Sequence, residues 1–208
     1  MLQTQTVEPG TLSLLKELMK APSLKDYYLV GGTALSLLYG HRISIDLDLF
    51  VHGNIERQII CVELGQLFEG DFSFEENGAS WGIFCFINNI KVDIVKYPHP
   101  IIHEPQLIDG IRMYHTDDNV GMKINAILGR GKKKDFWDIA ELTKHYSIDQ
   151  MLALHKQKYP SQMLLISIPQ ALIYFDDAND SEDPISLNGQ TWDGVKETIR
   201  KAVREYLS

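Results

Sequence analysis

The sequence predicts an α+β fold in which a mixed β-sheet with flanking helices is followed by a C-terminal helical bundle. Two observations favour this class, namely strand patterns in the first half of the chain and helical patterns in the second. The strand patterns lie at residues 27–30, 43–51, 72–74, 81–87 and 90–97. From about residue 117 the helical patterns lie at 119–146, 149–158, 161–175 and 191–207. We therefore expect two domains, 1–116 and 117–208.

Helices and turns connect the strands of the first half. Helical patterns lie at 11–20, 33–39 and 55–69. Asn88-Asn89 and Glu76-Asn77-Gly78 have the composition of tight turns between strands. In the second half, the pattern over 119–146 is interrupted near Gly129 and Gly131, and the acidic stretch 176–189 is predicted to be a surface loop.

Composition excludes several classes of protein. The 208 residues are 44% hydrophobic and carry 20 Lys and Arg against 28 Asp and Glu, a net charge of −8. This composition is that of an ordinary globular protein, and excludes disordered, collagen-like and disulfide-scaffold chains. Net negative charge also argues against non-specific coating of nucleic acid. Because neither a leader pattern nor an apolar run of about 18 residues is found, we expect a cytoplasmic protein without membrane contact.

Asp46 and Asp48 are the most informative residues. On the predicted strand 43–51 their side chains face the same side, about 7 Å apart. Two like charges on one face need a cation, unless the face is simply a hydrated edge strand. Asp93, within another predicted strand, supplies a third carboxylate if the two strands are neighbours. Together the three would hold one or two Mg²⁺ or Mn²⁺ ions.

The residues around this acidic group suggest a phosphate site. Gly31-Gly32-Thr33 lies where a predicted strand turns into a helix, and such a turn offers backbone N–H groups to an anion. Arg42 and Ser44 directly precede the aspartates. Both are therefore candidates for contacts with nucleotide phosphates.

A basic segment begins the second half. Between residues 119 and 146 six Lys and Arg face three acids: Lys123, Arg130, Lys132, Lys133, Lys134 and Lys144 against Asp135, Asp138 and Glu141. Lys123 and Arg130 are candidates for triphosphate contacts, although Lys132–Lys134 fit a solvated helix face equally well. Asp135 and Asp138 would hold these cations in place or assist an acceptor hydroxyl.

These motifs resemble a known family. Gly31-Gly32-Thr33-Ala34-Leu35, the segment from Gly40 to Leu49, Asp93 and the Lys123-Ile124-Asn125-Ala126 segment with Arg130 and Asp135 are similar to the signature of AbiEii/AbiGii toxin nucleotidyltransferases. These belong to the DNA polymerase β-like superfamily, and the resemblance covers about residues 27–145. It implies a nucleotidyltransferase fold, with Asp46, Asp48 and Asp93 as catalytic metal ligands and Lys123 and Asp135 as catalytic residues.

The resemblance also implies a function. We expect transfer of an NMP from an NTP to RNA, in particular to a tRNA 3′ end, by a toxin of a toxin–antitoxin or phage-defence system with its own antitoxin. Two alternatives remain open. One is a non-catalytic nucleotide-binding or interaction protein with the same fold, which the complete set of three aspartates argues against. The other is a small-molecule nucleotidyltransferase of the antibiotic-modifying kind, which an acidic acceptor pocket would favour, whereas the basic residues at 130–134 favour RNA.

Overall fold

The computed structural model describes residues 1–75 and 80–208, so the predicted turn at 76–78 lies outside the described residues. The chain forms two compact units. The first consists of Met1–Leu38, Ser44–His99 and Glu104–Tyr114, and the second of Tyr39–Ile43, Pro100–His103 and His115–Ser208. Two short segments from the first half of the sequence thus belong to the second unit.

A mixed sheet forms the centre of the first unit. Its described strands are β1 (Tyr28–Val30), β2 (Leu47–Val51), β3 (Phe72–Phe74), β4 (Gly82–Ile87), β5 (Ile90–Lys96), β6 (Gln106–Ile108) and β7 (Ile111–Met113). They lie in the order β3-β4-β5-β2-β1-β7-β6. β2 runs parallel to β5 and antiparallel to β1, so the α+β class with a mixed sheet is confirmed.

One face of this sheet is the core. Three α-helices precede or connect the strands along the chain: α1 (Pro9–Leu18), α2 (Gly31–Tyr39) and α3 (Arg57–Leu67). Leu47 and Leu49 of β2, with Val92 and Ile94 of β5, are fully buried and belong to one apolar cluster. Because side chains alternate along a strand, the residues between them point to the opposite face. That face carries Asp48 and Asp93.

Helices build the second unit. They are α4 (Thr116–Gly129), α5 (Lys133–Leu142), α6 (Ile148–Lys158), α7 (Ile168–Leu172), α8 (Asp176–Asn179) and α9 (Trp192–Leu207). α4 and α6 approach closely at Gly121, where a Cβ would lie 3.0 Å from the Cβ of Lys158. The described residues include no helix that is both long and apolar enough to span a membrane.

Three predictions about the elements need correction, and one pair of strands was missed. The strand predicted over 43–51 begins only at Leu47, so Asp46 precedes it and Ile45 is 60% exposed. The helix predicted over 161–175 is limited to α7, because Ser167 caps its start and Pro169 fits only its first turn. β6 and β7 were not predicted. The 176–189 stretch contains α8.

Candidate active site

Asp48 and Asp93 lie side by side on the open face of the sheet. The parallel register of β2 and β5 pairs Asp48 with Asp93, and paired residues on neighbouring strands are about 5 Å apart with side chains on the same face. The condition set by the sequence, that the strand of Asp93 lies beside the strand of Asp48, is therefore met. Asp46, half-buried, lies two residues before Asp48, outside the strand.

Gly31 brings the glycine turn against this pair. It follows β1, whose last residue Val30 pairs with Asp48, and it opens α2 with a φ of +72°. A Cβ on Gly31 would lie 3.0 Å from Oδ2 of Asp48. Glycine is thus required twice, for the left-handed backbone and for the space beside the carboxylate.

Thr33 fixes the segment that carries Asp46. Its buried hydroxyl donates to the backbone carbonyl of Asp46 and lies 2.9 Å from Oγ of Ser44. Ser44 itself is 8% exposed. The predicted phosphate contacts of Gly32, Thr33 and Ser44 stay predictions. The observed hydrogen bonds connect the first turn of α2 to the segment that leads into Asp48.

The Gly31→Ala variant tests this arrangement. We expect at least a tenfold loss of transfer activity, because the new methyl displaces the Asp48 carboxylate, and a loss of about 1–2 kcal/mol in the free energy of unfolding from the positive φ. Gly70→Ala is the matched control, since Gly70 has a φ of +82° with nothing within 4 Å of its added Cβ. It should lose similar stability, measured by urea unfolding, and keep full activity. Equal activities in both variants would contradict the role of Gly31.

The donors at this face fit a divalent cation. Oδ1 of Asp93 is buried and has no hydrogen-bond partner among the described residues, a costly state for an anionic oxygen. Its other oxygen accepts from the ammonium of Lys91, the residue two positions earlier on the same face of β5. Sequence reasoning missed Lys91, although the period of two from Asp93 would have found it. Carboxylate oxygens are the ligands that Mg²⁺ and Mn²⁺ prefer.

A buried ion-pair network occupies the second unit. The guanidinium of Arg42 donates to both oxygens of Asp138, from Nε over 2.7 Å and from Nη2 over 2.9 Å. Nε2 of His41 lies 2.7 Å from the same carboxylate. Nζ of Lys123 lies 2.8 Å from Asp138 and 3.0 Å from Asp135. The roles predicted for Lys123, Asp135 and Arg42 in binding and catalysis stay predictions, and the bonds observed here position these side chains.

Charge pairing outweighs burial in this network. Burial alone would raise the pKa of Asp138, but Arg42 and Lys123 hold that pKa well below its usual value. The pKa of Asp135 is also lowered, by Lys123 and Arg130, against the effect of burial. Burial would lower the pKa of Lys123, and the two aspartates raise it instead. All three groups are therefore charged at neutral pH.

The basic segment is largely neutralised by partners. Nε of Arg130 lies 3.2 Å from Asp135. Nζ of Lys133 lies 2.7 Å from Asp183, and Nζ of Lys144 lies 2.6 Å from Glu141. Together with Lys123, at least four of the six cations counted from the sequence are in ion pairs. The predicted phosphate contact of Arg130 stays a prediction.

A second group of potential metal ligands lies in the second unit. Ligand atoms of His103, His115 and Asp117 all lie within 4.8 Å of one another. The same residues also form hydrogen bonds at the N-terminus of α4. Nδ1 of His115 accepts from the backbone N–H of Asp117, and the hydroxyl of Tyr146 donates to the carboxylate of Asp117. None of the three predicted metal ligands belongs to it.

Comparison with known proteins decides the family. Residues 13–79 and 84–204 match the family described as nucleotidyl transferase AbiEii toxin, type IV toxin–antitoxin system. This chain belongs to the AbiEii family. The predicted resemblance is thereby confirmed, and the protein is a nucleotidyltransferase. Asp48, Asp93 and the glycine turn all lie within the matched residues.

Relatives of this AbiEii protein extend over most of its length. An uncharacterized protein of Aquifex aeolicus strain VF5 is 29% identical over 199 residues, covering 93% of this chain and 94% of the relative. A putative nucleotidyltransferase from H. pylori shares the fold with a TM-score of 0.56 at 18% identity, over 97% of this chain and 99% of its own. The nucleotidyltransferase toxin MenT4 of Mycobacterium tuberculosis H37Rv gives a TM-score of 0.59 at 12% identity, over 92% and 82%.

Proposed function

We propose that this AbiEii protein transfers an NMP from an NTP to the terminal hydroxyl of an RNA acceptor, such as a tRNA 3′ end. The observation that carries the proposal is the pairing of Asp48 with Asp93 beside the Gly31 turn. Asp46, Asp48 and Asp93 would hold Mg²⁺ or Mn²⁺. Bound there, the ion would neutralise phosphate charge and make the acceptor hydroxyl easier to deprotonate.

The chain's own groups have separate tasks in this reaction. Backbone N–H groups at the start of α2, from Gly31 to Thr33, bind the β- and γ-phosphates of the NTP. The acceptor oxygen attacks the α-phosphorus, and Asp93 takes the hydroxyl proton. One oxygen–phosphorus bond forms while the bond to the bridging oxygen breaks, and pyrophosphate leaves with the electron pair.

Family membership supports the biological part of the proposal. The family's description names a toxin of a type IV toxin–antitoxin system, and we propose that this protein is such a toxin, acts in the cytoplasm and is encoded with a cognate antitoxin. We further propose that Lys123 and Asp135 are required for transfer, as the family motif implies. For these residues, Lys123→Met and Asp135→Asn are the informative variants.

A labelling experiment tests the proposal. The full chain is incubated with Mg²⁺, total tRNA and each of the four α-³²P-labelled NTPs in turn. We expect label on RNA with at least one NTP, and none with EDTA or in Asp48→Ala. Asp26→Ala, which removes an exposed aspartate of the first unit, is the control and should transfer normally. Nucleotide binding without transfer would favour the non-catalytic alternative. Label on a small molecule would favour the antibiotic-modifying alternative.

A further inference from the structure

A cavity lined by aromatic rings lies next to the two paired aspartates. Its volume is about 430 Å³. Its walls are the open face of β2, β4 and β5 together with the residues that follow β5. The lining residues with ring side chains are Phe50, Trp81, Phe84, Tyr97 and His99. Asp48 and Asp93 form part of the same wall, so whatever occupies the cavity lies beside the reacting groups.

Trp81 is the most exposed of these rings. Trp81 stands edge-on to Phe84, with centroids 5.1 Å apart, and it is 52% exposed. The ring centroid of Tyr97 lies 4.8 Å from that of Phe50 and 4.7 Å from that of His99. Unpaired nucleobases stack on exposed aromatic rings with little regard to sequence.

The position of the cavity identifies which substrate it faces. In the sheet, β2 with Asp48 lies between β1, which leads into the Gly31 turn, and β5, which carries Asp93. The proposed phosphate turn and the cavity are therefore on opposite sides of Asp48. In-line displacement needs the attacking and leaving oxygens on opposite sides of phosphorus. If pyrophosphate leaves toward Gly31, the acceptor approaches from the cavity.

We propose that this cavity binds the unpaired base of the acceptor's terminal nucleotide, stacked on Trp81, and so presents its hydroxyl beside Asp93. The inference rests on the proposed transfer to RNA. The charges of the lining support a nucleotide over a cationic drug. The acids among the described lining residues are Asp48 and Asp93 alone, both assigned to metal, whereas the cation Lys96 also lines it.

A binding cycle tests the stacking. The full chain and Trp81→Ala are titrated with a labelled single-stranded oligoribonucleotide ending in CCA, and with the same strand carrying an abasic 3′ residue. Stacking on one ring predicts that Trp81→Ala weakens binding of the intact strand about 5- to 100-fold. The unchanged protein should bind the abasic strand as weakly as Trp81→Ala binds the intact strand. Removing both the ring and the base should weaken binding no further, so Trp81→Ala should bind the two strands equally. Trp81→Phe should restore most of the affinity.

Phe86→Ala is the matched control. Phe86 lies on β4 two residues from Phe84, hence on the same face, is 51% exposed and does not line the cavity. It should bind both strands as the unchanged protein does. In the transfer assay, Trp81→Ala should raise KM for the RNA and leave KM for the NTP unchanged.

Several outcomes overturn the inference. It is wrong if Trp81→Ala binds the intact strand normally, if it weakens the intact and abasic strands equally, or if it raises KM for the NTP instead. Failure of the proposed function looks different. In that case no NTP labels RNA, yet the coupling between Trp81 and the terminal base persists in the binding cycle and supports the cavity as a base-binding site.

Discussion

Replacing Asp93 with asparagine should lower nucleotide transfer about a thousandfold or more, while the free energy of unfolding stays unchanged or rises. Asparagine keeps the shape of the side chain but removes an anionic metal ligand and the proposed proton acceptor. Metal ligation is worth several kcal/mol of transition-state stabilisation, and each 1.36 kcal/mol corresponds to tenfold in rate. Stability is largely spared because the buried Oδ1 of Asp93 has no hydrogen-bond partner among the described residues, and because an ion pair with a half-exposed lysine such as Lys91 contributes little.

Lys91→Gln is the control for this experiment. It breaks the same ion pair with Asp93 from the other side but keeps the carboxylate, so transfer should stay within a few-fold of normal. Steady-state rates at saturating Mg²⁺ and urea unfolding curves measure both effects. Activity of Asp93→Asn within tenfold of the unchanged protein would remove Asp93 from the reaction.

The Asp138→Asn substitution should destabilise the protein by about 3–5 kcal/mol, because it removes a buried carboxylate that pairs with two buried cations. Arg42 and Lys123, 3% and 5% exposed, both depend on Asp138. Asp193→Asn is the matched control. Asp193 makes an ion pair of the same 2.7 Å length with Lys196, but its side chain is 91% exposed. Its loss should barely move the urea midpoint.

The same network makes stability depend on acid. The folded-state pKa values of Asp135 and Asp138 lie below their unfolded values. Their contribution is therefore complete above about pH 4 and is lost as the pH falls through the lower folded-state values. Thermal unfolding from pH 7 to pH 2 should show a smaller acid-induced fall in Tm for Asp138→Asn. Equal slopes, or a stability of the variant within 1 kcal/mol of normal, would contradict the role of the network.

The sequence predicted those parts of the site that depend on local patterns. Alternation over 47–51 places Asp48 on the open face, and the second strand pattern does the same for Asp93. Asn88 and Asn89 have φ values of 51° and 62°, as a tight hairpin turn requires. What brings these local features together is strand register, which the sequence of either strand alone does not encode.

Contacts between distant segments account for the errors. The backbone carbonyl of Asp46 accepts from the hydroxyl of Thr33, and β1 ends at Val30 opposite Asp48, so the strand starts later than its alternation suggests. The three-residue strands β6 and β7 are too short to show a period, although Asp109-Gly110 between them has the composition of a hairpin turn. Counting charges found a basic segment, but the count could not show that Asp183 neutralises Lys133.

The register between β2 and β5 has a consequence for how such an enzyme can diversify. Because the pairing of β2 with β5 places Asp48 beside Asp93, a change of length between β3 and β4 need not move the two carboxylates. The family match is interrupted at residues 80–83, the segment that contains Trp81. If Trp81 holds the acceptor base as proposed, exchanging this segment between relatives should change the acceptor preference and leave Asp48, Asp93 and the Gly31 turn in place.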